Sequence, residues 1–74
     1  MERKERIKND FAQNLKKIRT EKGLTLRKLA GSANLEYSHV QRIEKGLVDV
    51  ALTTIHALAE GLEVEPSLLL QTAK

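Results

Sequence analysis

The chain has 74 residues, no cysteine, a single proline and a net charge of +3. That length suits one compact domain spanning 1–74, and the lack of cysteine excludes a disulfide framework, thiolate zinc sites and a cysteine nucleophile. The apolar runs are too short to span a membrane, and the start of the chain lacks the apolar core of a signal peptide, so the expected compartment is the cytoplasm.

β-branched residues occur singly and never alternate over a strand length, so an all-α fold is expected. A basic arm over about 1–5 should lead into a first helix from about Glu5 to Lys22. In that helix Ile7, Phe11, Leu15 and Ile18 recur at helical spacing on one face, and Gly23 supplies a left-handed C-terminal cap. A second, short helix is predicted from Leu26 to Ala33. Thr25 caps it through its hydroxyl, and Leu24 and Leu29 have the spacing of a hydrophobic staple. Asn34, a residue that tolerates positive φ, marks the turn.

The third helix should run from Tyr37 to Lys45, with Glu36 at its cap, Leu35 and Val40 repeating the staple spacing, and Gly46 at its end. A fourth covers about Leu52 to Leu62, with Leu52, Ile55, Leu58, Ala59 and Leu62 on its inner face. A fifth starts at Pro66, a residue favoured in a first helical turn, extends to about 73 and carries Leu68, Leu69 and Leu70. Five short helices are the predicted architecture.

Charge divides this chain unevenly. Residues 1–46 hold twelve Lys and Arg against six acids, a net +6, while residues 47–74 hold Lys74 against four acids, a net −3. A basic front and an acidic back suit a protein that turns one face to a polyanion and keeps the other for protein contacts.

The spacing across Leu29 to Ile43 is the most informative feature. Ala30 is small where two helices must cross, Asn34 and Leu35 form the turn, and Val40 and Ile43 are core positions of the following helix. Such a pattern pins one helix across another and leaves the outward side of the second free to enter a groove the width of a helix. The stretch Phe11 to Leu70, about four-fifths of the chain, resembles the Cro/C1-type (XRE, lambda-repressor-like) helix-turn-helix family. The matching text is "LKKIRTEKGLTLRKLAGSANLEYSHVQRIEKG" followed by "LTTIHALAEGLEVEPSLLL". The size of the chain, and "ANLE" leading into the third helix, also resemble the controller proteins of restriction–modification systems.

The resemblance implies a five-helix domain that binds double-stranded DNA as a homodimer on a two-fold operator, its third helix in the major groove. Base-reading positions then fall on Tyr37, Ser38, His39, Gln41 and Arg42. Arg42 has the chemistry to bond guanine bidentately, and Gln41 to bond adenine. Phosphate contacts are expected from Thr25, Arg27 and Lys45, which flank a helix N-terminus that attracts anions, with a non-specific addition from Arg3, Lys4, Arg6 and Lys8. Arg19 and Glu44 match positions where the family forms a salt bridge between its first and third helices. The dimer interface is expected at Leu47, Val48, Val50, Leu68, Leu69 and Leu70.

Three departures from the family pattern stand out. Leu26 occupies the start of the second helix, where glutamine often bonds phosphate. Glu36 replaces a common Ser or Thr, and the loop "LVDVA" has no positive charge. An enzyme is not expected: His39 and His56 are isolated, no glycine-rich phosphate loop or nucleophile motif occurs, and neither a cofactor nor a metal is implied. The alternative function is that of an antitoxin or protein-interaction adaptor using the same fold. Activation of transcription would require a surface that touches RNA polymerase, and the sequence does not locate one.

Overall fold

A computed structural model describes residues 2–71, which form five helices and no strand: α1 (Arg3–Glu21), α2 (Leu26–Ala33), α3 (Tyr37–Glu44), α4 (Leu52–Leu62) and α5 (Pro66–Leu69). The bounds of α2 and α4 coincide with those read from the sequence. Two ends differ. The expected arm over 1–5 is helical from Arg3, because Glu2 is extended and its carbonyl already accepts the Arg6 N–H at 2.9 Å; straight-chain Arg, Lys and Glu side chains then lose little freedom in the first turn. At the other end α5 stops at Leu69 instead of continuing toward 73, and residues 72–74 lie outside those described. The Asn14 side-chain amide donates to the carbonyls of Leu69 and Gln71, which ties the chain to α1.

Helices α1 to α4 all end the same way. Gly23, Asn34, Gly46 and Glu63 have φ between 59° and 75°. The next residue (Leu24, Leu35, Leu47 or Val64) sends its N–H back to a carbonyl five residues earlier, at 2.9–3.2 Å. This 6→1 bond satisfies a carbonyl that the helix end would leave unpaired, and the apolar residue that follows the cap commonly packs back on the last turn. Leu24, Leu35 and Val64 are packed against the core in this way; Leu47 is exposed instead.

One hydrophobic core gathers Phe11 and Leu15 of α1, Leu29, Ala30 and Ala33 of α2, Val40 and Ile43 of α3, Leu58, Ala59 and Leu62 of α4, and Leu69 of α5. Helix α2 packs most extensively on α4. The approach is close because Gly61 faces Ala33: a β-carbon at Gly61 would lie 3.1 Å from the Ala33 nitrogen. Three apolar residues depart from their expected places. Ile7, in the first turns of α1, is exposed, and so is Leu52, at the first position of α4. Leu69, expected at a dimer interface, is fully buried. In a single turn of helix only one of three consecutive leucines can point inward, and the structure gives that place to Leu69.

Candidate nucleic-acid interface

The helix pair α2–turn–α3 is built from local signals. The Thr25 hydroxyl accepts the Lys28 N–H at 3.1 Å and caps α2. Asn34 takes φ 59° at the turn, and the Leu35 N–H returns to the Ala30 carbonyl at 2.9 Å. Glu36 stands at the start of α3 but makes no side-chain capping bond, so it acts there only through its charge near the positive end of the helix.

The orientation of α3 against α1 is set by Arg19 and Glu44. The guanidinium meets the carboxylate as a fork, Nε to Oε2 at 2.7 Å and Nη2 to Oε1 at 3.0 Å, while Nη1 donates to the Leu24 carbonyl at 2.8 Å. The two side chains are only 11 % and 7 % exposed, so both charges have left bulk water. Planar fork geometry makes such a pair directional. The third bond also fixes the chain entering α2. Both partners therefore tie α3 to α1 and to the chain entering α2.

With Val40 and Ile43 buried, the opposite side of α3 carries Ser38, Gln41, Arg42 and Lys45, at the spacing i, i+3, i+4 and i+7 that forms one ridge. Ser38, Arg42 and Lys45 are exposed, and Gln41 is half-buried. Tyr37 and His39 do not belong to this ridge; they lie at its two edges and are half-buried. The structure thus divides the five expected base-reading residues into a central group of three and two flanks.

On the α1 side of the ridge, Gln41 and Lys45 share a cleft with Lys16, Arg19, Leu26 and Glu44. Since Arg19 and Glu44 neutralise each other, the cleft takes its positive charge from Lys16 and Lys45. Reading the sequence did not single out Lys16; its signal was its position one turn before Arg19 on the same helix. Of the other expected phosphate residues, Thr25 is exposed and keeps its own O–H to donate. The backbone N–H groups of Leu26 and Arg27 are first-turn donors without an intrahelical acceptor. Arg27 is placed over the ring of Tyr37, with its Cζ 4.4 Å from the ring centroid. At the start of α1, Lys4 lies 3.9 Å from Asp49 in an exposed ion pair.

The apolar face is elsewhere. Leu47, Leu68 and Leu70 are exposed, whereas Val48 and Val50 are half-buried against the core. Ile7, absent from the expected set, shares a shallow groove with Phe11, Val48, Val50, Ile55 and Leu70. Among the described residues no group of His, Asp and Glu is arranged to hold a metal, and no helix is long and apolar enough to cross a membrane.

Comparison with known proteins agrees with this geometry. A family model described as helix-turn-helix matches residues 15–69. The restriction-modification controller protein C.AhdI from Aeromonas hydrophila is 39 % identical, with a TM-score of 0.82 over 84 % of this chain and 94 % of its own. The controller protein C.Esp1396I is 28 % identical, with a TM-score of 0.80 over 85 % and 82 %. A hypothetical transcription factor, NHTF, from Neisseria is 27 % identical, with a TM-score of 0.85 over 89 % and 76 %. No curated protein sequence matches. With its α2–turn–α3 geometry and more than half its length matched, the chain belongs to the Cro/C1-type helix-turn-helix family of DNA-binding regulators and is not an enzyme.

Proposed function

We propose that this regulator binds a two-fold symmetric operator as a homodimer, with α3 in the major groove of each half-site. The observation that carries the reading is the ridge Ser38–Gln41–Arg42–Lys45, held outward by the Arg19–Glu44 fork. A major groove admits one helix, and a planar guanidinium suits the two acceptors of guanine. Arg42, exposed in the middle of the ridge, reads guanine; Gln41 and Ser38 read beside it, and Tyr37 and His39 contact the edges of the same site. Lys45, Lys16, Thr25 and Arg27 contact phosphates. The second copy is held by Leu47, Leu68 and Leu70 with the outer surfaces of Val48 and Val50, an apolar face that a monomer leaves in water. Similarity to controller proteins makes a regulator of a restriction–modification operon the favoured subclass.

Selection from random duplexes over a salt series tests the reading. The expected result is a palindromic site whose affinity falls steeply with salt. Arg42→Ala should relax preference at one position of each half-site, at a cost of about 1–3 kcal/mol there. Lys45→Ala should weaken all sequences alike and lower the salt slope by about one. No enrichment of any site, together with tight capture of one protein partner, would replace this reading with that of an antitoxin or adaptor.

A further inference from the structure

The stack of Arg27 on Tyr37 joins the N-terminal ends of the two helices that make the reading head. Arg27 is in the first turn of α2, Tyr37 is the first residue of α3, and the guanidinium carbon is 4.4 Å from the ring centroid. The ring is half-buried and packed against the core, so it is held on one side while its other side stays open to contact. An arginine stacked on a ring spends the face of its guanidinium and keeps its in-plane N–H donors, which match the oxygens of a phosphate. A lysine in the same place would be a point charge without that plane.

We infer that Arg27 is a positioning residue, which makes the phosphate contact at α2 and the base-side contact of Tyr37 one coupled unit. The inference rests on the operator reading above and goes beyond it, because an independent phosphate contact would carry no sequence information. When the in-plane donors engage a phosphate, the plane of the guanidinium is set, and with it the tilt of the ring beneath. The backbone register of the duplex is thereby passed to a side chain at the edge of the groove. Arg27, which lies outside the reading helix, then influences which base pair is preferred.

The experiment uses the whole chain and three variants, Arg27→Lys, Tyr37→Leu and Tyr37→Phe, each checked for an unchanged melting curve. Tyr37 is the sole tyrosine, and comparison with Tyr37→Leu assigns ring shifts to it. In the free protein the Arg27 δ-protons should be shifted upfield by the ring, and the shift should vanish in Tyr37→Leu but persist in Tyr37→Phe. In random-site selection Arg27→Lys should keep the wild-type salt slope yet lose preference, by about two- to fivefold, at the same base pair that Tyr37→Leu relaxes, the range set by the strength of an exposed cation–π contact. Combining Arg27→Lys with Tyr37→Leu should lose no more than the worse single change. An Arg27→Lys protein that selects the wild-type site, or losses that multiply in the double variant, would overturn the inference while leaving the operator reading intact. A wild-type chain that selects no site overturns both, and is seen before any substitution is made.

Discussion

At the residue scale, the fork between Arg19 and Glu44 fixes α3 against α1 and with it the ridge that we propose reads the operator. Removing one partner of a buried pair leaves the other charge without compensation, and the loss is typically larger than the pair's own net worth. Glu44→Ala should therefore destabilise the fold by about 3 kcal/mol, a fall in melting temperature of more than about 10 °C for a domain of this size. DNA binding should weaken only in proportion to the unfolded fraction, measured by calorimetry beside a binding titration. A variant of full stability that binds weakly would move Glu44 into the contact surface. The pairing partners were legible in the sequence only through the family resemblance, since 25 residues separate them. The third bond, to the Leu24 carbonyl, follows from the turn after α1 and was not legible at all.

At the scale of elements, the repeated helix ends separate what is relaxed from what is strained. Gly23 and Gly46 hold positive φ without a side-chain penalty, and Asn34 is the next most tolerant residue; Glu63 is neither. Its carboxylate also lies at the negative end of α4. Glu63→Gly should stabilise the protein by about 1 kcal/mol, visible as a rise in melting temperature of about 4–8 °C, and an unchanged or lower melting point would show that the Glu63 side chain is held by a favourable contact. The α2–α4 crossing makes the opposite prediction. Gly61 is the last residue but one of α4, and any β-carbon there presses on the backbone of Ala33. Gly61→Val should cost about 2 kcal/mol or more, because backbone cannot move aside as a flexible side chain can. Equal stability in denaturant would mean that α4 slides freely on α2. From the sequence Gly61 was one more glycine near a helix end; its function as a contact surface depends on which residue faces it.

At the scale of the whole molecule, the three leucines of α5 divide between one core and one surface. Leu69→Asp should unfold the chain, since Leu69 is wholly inside, whereas Leu70→Asp should leave the monomer folded and weaken self-association. Sedimentation should give a dimer dissociation constant raised by about tenfold or more, equivalent to at least about 1.4 kcal/mol, and operator binding should become correspondingly concentration-dependent. A wild-type chain that stays monomeric at high concentration, or a Leu70→Asp dimer of unchanged strength, would place the second copy on another face. Ile7 extends the apolar surface onto α1, an extension invisible in the sequence because Ile7 continues the same periodicity as the buried Phe11 and Leu15.

Sequence by itself determined the number and type of helices, the limits of α2 and α4, the Thr25 cap and the left-handed turn at Asn34. Each depends on neighbours within a few positions, through periodicity, capping hydroxyls and tolerance of positive φ. It also placed Val40 and Ile43 inside and Arg42 outside. Only the tertiary structure decided how far the apolar periodicity is used. Ile7 and Leu52 keep the spacing of core residues but stay exposed near the starts of their helices, and Leu69 alone of its three leucines is buried. The same holds for the reading face. Spacing put Tyr37 and His39 on α3, but the packing of α3 on α1 and α2 turned them to its edges and brought Lys16 and Arg27 to the site from other helices. Local chemistry fixes an element's shape, whereas its neighbours fix which of its faces is buried and which can act.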